Sequence, residues 1–250
     1  MIKLYQGDCL KLMKDIPDGS VDMLFTDLPY GTTKCKWDSP LNLQDFWYEA
    51  NRVVKTNGCV ALFAQTPFDK VLGCSNIEDL RYEWIWEKTE ATGHLNAHRM
   101  PMKAHENILV FYKKLPTYNP QKTTGHIRKV STALHKRNCK KSDCYGNYGL
   151  TSYDSTERFP RSVIKGPTDK QKKGGVAAQK PVWLCEKMIL TYTNEGDTVL
   201  DCCMGSGSIG VACVKTARKF IGMELLQDRF DVAKERIEAC QKGQKSLQLP

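Results

Sequence analysis

Apolar positions recur along this chain with two alternating periods. Short apolar runs rich in β-branched and aromatic residues fall at 2–5, 21–26, 59–63, 82–87, 108–112, 198–202 and 219–223, and they read as strands. Segments with helical spacing lie between them at 8–15, 43–54, 182–193, 208–216 and 226–241. Pro67 opens a further helix, since proline suits the first helical turn. Asn57-Gly58 reads as the turn bounding the strand at 59–63. Strands alternating with helices imply an α/β fold with a mostly parallel sheet covered on both faces. From about 113 to 175 the periodicity fails and Gly and Pro punctuate the chain. The expected organisation is an α/β part at 1–112, an insert with little core of its own at 113–175, and the rest of the α/β domain at 176–250.

Charge sharpens this division. The formal net charge is +9. Residues 113–173 carry 15 Lys or Arg against 4 Asp or Glu, whereas the remainder carries 22 against 24. The basic residues are interleaved with Tyr118, Tyr145, Tyr148, Tyr153 and Phe159. Such a concentration is the footprint of a phosphate-backbone binder; a solvated basic loop has the same composition. Neutralising Lys140, Lys141, Lys172 and Lys173 should flatten the salt dependence of nucleic-acid binding if the insert holds the phosphates.

Eleven cysteines, an odd number without a disulfide-framework spacing, favour free thiols in a reducing compartment. Cys139 and Cys144 are the nearest approach to a metal pair, and no second pair stands at finger spacing, so no metal is expected. No apolar run is long enough to span a membrane, and the first residues lack the apolar stretch of a signal peptide. A cytoplasmic location is expected.

Two segments carry the chemistry. Asp27-Leu28-Pro29-Tyr30-Gly31 follows one buried strand, and Asp201-Cys202-Cys203-Met204-Gly205-Ser206-Gly207 follows another. Each puts an acid and a tight turn at the C-terminal end of a strand, the edge where open α/β sheets bind ligands. Gly205 to Gly210 also matches G-x-G-x-x-G, and Glu224 ends the next strand, where an acid can bond ribose hydroxyls. Alone, this fits a nicotinamide dinucleotide. Against that, a carboxylate at Asp201 would repel a pyrophosphate and welcome an ammonium, and only one clear strand follows the unit.

Asp201-x-x-x-Gly205-x-Gly207 with Glu224 resembles the S-adenosylmethionine site of class I methyltransferases. The resemblance implies that Gly205, Ser206 and Gly207 wrap the amino-acid part of the cofactor and that Glu224 holds the ribose. Gly7-Asp8-Cys9 resembles the family segment whose acid binds the adenine amino group, although Asp8 also suits a helix N-cap. Gln179-Lys180-Pro181 resembles the segment that approaches the methionine end.

Asp27-Leu28-Pro29-Tyr30 resembles the [DNS]-P-P-[YFW] motif of amino-group methyltransferases, with Leu28 in place of the first proline. An exocyclic base amine shares its lone pair with the ring and is a poor nucleophile. The resemblance implies that Asp27 and the Leu28 carbonyl accept its hydrogens and that Tyr30 stacks on a base drawn from the duplex. The whole pattern resembles DNA amino-methyltransferases of the β arrangement, a Rossmann-like fold in permuted order with the acceptor motif first, a target-recognition segment next and the cofactor loop last. Trp84 to Lys88 and Ala104 to Phe111 resemble further family stretches. Trp84 and Trp86 are expected in the core, and His105 and Glu106 in a polar turn before the strand at 108–112.

The expected activity is site-specific transfer of a methyl group from S-adenosylmethionine to an exocyclic amine of double-stranded DNA. Asp27 points to N6 of adenine. Alternatives are N4 of cytosine, an RNA or protein-amide acceptor, an NAD-dependent oxidoreductase, and a catalytically dead DNA-binding protein. A homodimer and a cognate restriction endonuclease stay open as partners.

Overall fold

The computed structural model describes residues 1–33, 38–133, 152–169 and 179–247. Cys139, Cys144, Tyr145, Tyr148, Lys140, Lys141, Lys172 and Lys173 lie outside the described residues. The chain divides into two compact units, Met1–Asn119 with Ser162–Pro250, and Pro120–Arg161.

The larger unit is built on an eight-stranded sheet. Its strands are β1 (Ile2–Gln6), β2 (Val21–Thr26), β3 (Val54–Ala64), β4 (Leu80–Thr92), β5 (Lys103–Phe111), β8 (Val163–Gly166), β9 (Thr198–Asp201) and β10 (Lys219–Glu224), in the order β1-β10-β9-β2-β3-β5-β4-β8. The first five in that order are mutually parallel. β5 is antiparallel to both its neighbours, and β8 runs parallel to β4. β9 leads away through β10 to β1, and β2 leads away through β3, so the strand order reverses between β9 and β2. A crevice opens at such a switch point, outside the carboxyl ends of the strands.

Side chains alternate along β2 because strand residues point to opposite faces. Met23 and Phe25 enter one apolar layer with the helices α4 (Val182–Tyr192), α5 (Ser208–Lys215) and α6 (Gln227–Leu247). Val21 and Leu24 enter the other with α1 (Cys9–Leu12), α2 (Leu43–Val53) and α3 (Phe68–Ser75). Val21 joins the Leu24 layer at the start of β2, where the pairing with β3 shifts register between Val21 and Met23. Trp84 and Trp86 are buried, and their indole N–H groups donate to the Tyr192 hydroxyl and the Gly166 carbonyl. That satisfies polar atoms a core tryptophan would otherwise strand.

Local differences from the sequence reading have physical causes. Asn57-Gly58 lies inside β3, not before it. A Cβ on Gly58 would meet the Asp22 carbonyl at 2.9 Å, so the glycine permits close strand approach. β5 begins at Lys103, so His105 and Glu106 are paired strand residues opposite Glu87 and Trp86 and not a turn. Residues 163–166, read as part of the insert, form a sheet edge strand, because Ile164 packs against the core and Gly166 accepts the Trp86 indole.

The smaller unit pairs β6 (Lys129–Ser131) antiparallel with β7 (Tyr153–Ser155). None of its described residues is buried. Ion pairs Arg128–Asp154 and Lys122–Glu157 and the Lys122 ammonium over the Phe159 ring hold it locally. Among the described residues of the chain, no helix is long and apolar enough to cross a membrane.

Candidate active site

The switch point brings the two chemistry-bearing segments side by side. Thr26 ends β2 and Asp201 ends β9. The Thr26 hydroxyl donates to Asp201 Oδ1 at 2.7 Å and accepts the Cys203 N–H at 3.2 Å. Asp27 is the next residue, so the acceptor motif hangs from the strand that touches the glycine loop.

Asp27 sits among charges from three other segments. Tyr30 donates its hydroxyl to Asp27 Oδ1 at 2.7 Å, and Lys180 Nζ donates to Oδ2 at 2.6 Å. Lys180 also lies 3.3 Å from Glu106 Oε2, and Lys88 Nζ lies 2.6 Å from Glu106 Oε1. The Lys180 contact to Glu106 is an ion pair without hydrogen-bond alignment, which leaves Oε2 a buried acceptor atom. Burial raises the Asp27 pKa, and Glu106 adds to the rise against the pull of Lys180. For Glu106, burial works upward but is outweighed by Lys180 and Lys88, and its pKa is lowered. Burial and Asp27 push the Tyr30 phenol well up, so it stays a donor. Its ring stacks on Phe68 at a centroid distance of 5.0 Å, and Lys180 Nζ lies 5.1 Å from the Phe63 centroid. Leu28 buries its side chain and leaves 2% of its surface exposed. Asp38 fixes the turn beyond Tyr30 by accepting from the N–H groups of Gly31 and Thr33.

The glycine loop follows β9. Gly205 adopts a φ of +51°, and a Cβ there would meet nothing within 4 Å. The positive φ favours glycine, and the open side lets a ligand reach the backbone. Gly207 has the opposite reason: a Cβ would come within 3.0 Å of the Ala233 Cβ on α6. Ser206 is buried, and Arg236 donates to its carbonyl. Glu224 ends β10 and accepts the N–H groups of Gly205 at 2.9 Å and Leu226 at 3.0 Å. A carboxylate retains further lone pairs after two such bonds. The Gly7 N–H bonds the Glu224 carbonyl, which brings Asp8 and Cys9 to the same edge. Asp8 Oδ1 caps α1 by accepting the Leu10 N–H at 2.9 Å. Burial pushes the Asp201 carboxyl up to about 8, so a cationic ligand would restore its charge. An open glycine, a Glu224 carboxylate with lone pairs to spare and a buried Asp201 carboxyl with no ion-pair partner among the described residues fit a nucleoside that carries an amino acid.

Asp8, Cys9, Asp201, Gly205, Ser206, Gly207 and Glu224 therefore converge on one half of the crevice, and Asp27, Leu28, Pro29 and Tyr30 on the other. Lys180, expected to approach the methionine end of the cofactor, places its ammonium on Asp27 and Glu106. Sequence reasoning missed Thr26, Phe63, Phe68, Lys88 and Glu106. A signal for Glu106 existed: it is two residues from Ile108 and four from Val110, in phase with the face those residues bury.

This fold and site define the class of S-adenosylmethionine-dependent methyltransferases of the Rossmann-like type. The profile of the N6/N4 DNA methylase family matches residues 21–235. The chain belongs to that family. It is 27% identical over 252 residues to the Type II methyltransferase M.HpaI of Haemophilus parainfluenzae, covering 95% of this chain and 74% of that protein. It is 26% identical over 256 residues to the DNA adenine methyltransferase YhdJ of Escherichia coli K12, covering 95% and 83%. Among solved structures, the M1.HpyAVI–SAM complex superposes with a TM-score of 0.63 at 26% identity, covering 94% of this chain and all of that one. The PvuII cytosine-N4-specific DNA methyltransferase shares the fold, with a TM-score of 0.67 at 14% identity and 96% and 91% coverage.

Proposed function

We propose that this enzyme methylates N6 of adenine at a specific site in double-stranded DNA. The observation that carries the reading is the half-buried Asp27 carboxylate held one residue from the Thr26–Asp201 contact, with Tyr30 and Lys180 already at its oxygens. S-adenosylmethionine supplies an electrophilic methyl group when bound. Asp8, Asp201, Gly205 to Gly207 and Glu224 would hold it.

Asp27 accepts one hydrogen of the target amine, and the Leu28 carbonyl accepts the other. Both contacts draw electron density back onto the nitrogen and aim its lone pair along the line of attack. On methylation the amine must give up one proton. Burial raises the proton affinity of Asp27 and suits it to share that proton. Tyr30 and Phe68 give an aromatic wall for a base taken out of its stack. Lys180 keeps Asp27 ionised until the base arrives, and Glu106 holds Lys180. Most of the acceleration comes from positioning and preorganised dipoles.

The basic segment of 113–175 supplies phosphate contacts and the site preference, which favours a nucleic acid over a protein acceptor. DNA as substrate agrees with a cytoplasmic location. In the same reading, the methylated site is one that a cognate restriction endonuclease would cut. Expression of the chain in a methylation-free host, followed by single-molecule sequencing of a resident plasmid, tests the proposal. N6-methyladenine in one recurring sequence context is expected. N4-methylcytosine would transfer the reading to the cytosine branch, and an unmodified plasmid with a folded, cofactor-binding protein would end it.

A further inference from the structure

Three thiols meet at the carboxyl edge of the sheet although Cys9 lies some 190 residues from the other two. The sulfur atoms of Cys9, Cys202 and Cys203 all lie within 4.8 Å of one another. Cys9 begins α1, directly after Asp8; Cys202 and Cys203 follow β9, directly after Asp201. Exposure falls to 7% for Cys9 and 2% for Cys202. Cys203 is half-buried, which gives a solute a route to the cluster. Among the described residues this is the one group of three or more His, Cys, Asp or Glu side chains gathered closely enough to hold an ion.

The donor set selects the kind of ligand. Three sulfurs without a histidine or an added carboxylate favour a soft cation over Mg²⁺ or Ca²⁺, which take oxygen. Zinc–sulfur bonds of about 2.3 Å place tetrahedral sulfurs roughly 3.8 Å apart. Side-chain rotation of Cys203, the least enclosed of the three, can close the remaining gap. The flanking Asp8 carboxylate adds negative potential at the same edge. Three protein ligands leave a fourth position for solvent or a solute.

We propose that Cys9, Cys202 and Cys203 form a thiolate site for one soft d¹⁰ metal cation such as Zn²⁺. Binding replaces the thiol protons with metal–sulfur bonds and changes no oxidation state. The ion would tie the Asp8 segment to the glycine loop, so its occupancy and that of the cofactor crevice are thermodynamically linked.

The test uses the whole chain, reduced with a phosphine and stripped of metal. Titration with Cd²⁺ should give an ultraviolet thiolate-to-metal charge-transfer band that saturates at one equivalent. Zn²⁺ should then shield Cys9, Cys202 and Cys203, and not the other cysteines, from alkylation read by peptide mass spectrometry. Cys203→Ala, with its fold checked by circular dichroism, should weaken Cd²⁺ binding at least about tenfold, since even outer-shell partners cost that much. Three results would each overturn the site: no saturable band, shielding that falls on other cysteines, or a Cd²⁺ affinity unchanged in folded Cys203→Ala. A disulfide between these cysteines in protein prepared without reductant, with no metal uptake after reduction, would make the cluster a redox pair instead. The shielding experiment needs no variant, so a misfolded substitution cannot hide the answer.

Discussion

Lys180 holds Asp27 by a 2.6 Å contact that joins the first residue of the acceptor motif to a residue 153 positions later in the chain. The Lys180 side chain is 10% exposed and that of Asp27 27%. A pair this enclosed is costly to break, because removing one partner leaves an uncompensated charge. Lys180→Met should therefore destabilise the protein by about 3–5 kcal/mol in chemical unfolding. It should also shift the acid limb of the rate profile. In the proposed mechanism transfer needs ionised Asp27; burial already raises its pKa, and losing Lys180 raises it further. The limb should move to higher pH. Stability loss without that movement would make Lys180 a purely structural residue.

Asp27→Ala should lower the transfer rate by about 10²–10⁴-fold, the range for a positioned acid–base group. Cofactor affinity measured by calorimetry should change little, because the glycine loop and Glu224 lie in the other half of the crevice. A parallel loss of cofactor binding would show that the two halves are not separable.

Asp201 links pH to both stability and cofactor binding. Its folded pKa of about 8 lies above the ordinary 3.8. The folded state thus favours the protonated acid, and this stabilisation is full at low pH and is lost as pH rises through about 8. A bound ammonium favours the ionised form. Cofactor binding below that pH should release a proton, visible as a dependence of calorimetric heat on buffer ionisation enthalpy. Asp201→Asn should abolish the dependence; its persistence would assign the proton to another group.

Leu28 separates a backbone role from a side-chain role. Leu28→Pro retains the carbonyl and gives up much of a buried side chain. Stability should fall by about 1–3 kcal/mol while transfer by the folded fraction persists. A folded variant without transfer would contradict the assignment of the carbonyl to the amine.

Much of this arrangement could be read from the chain. The central strands announced themselves by apolar runs, and Asp27 and Gly205 by acids and turns at strand ends. What escaped was the lateral placement. Glu106 and Lys88 lie on β5 and β4 beyond their most apolar stretches, where local pattern fades and only pairing between strands fixes the residues. Lys180 was visible as a motif residue, but its partner depends on a strand order that brings Asp27 from the far end of the chain. The three-thiol cluster was hidden for the same reason, since spacing rules compare neighbours in sequence.

Salt dependence offers a test of the smaller unit. Lys129 and Arg161 are exposed there. If both meet phosphates, Lys129→Gln with Arg161→Gln should reduce the slope of log affinity against log salt by about 1.8, at roughly 0.9 per phosphate. An unchanged slope would move the duplex to another surface.

Both junctions of that unit are pinned within the larger one. The Asn119 side chain donates to the carbonyls of Leu190 and Thr193, and the Ser162 carbonyl accepts the Ile85 N–H. Anchored seams of this kind make the intervening polypeptide an exchangeable cassette. If that polypeptide reads sequence as proposed, recombination at these two points would trade one reader for another and leave the methyl-transfer chemistry unchanged.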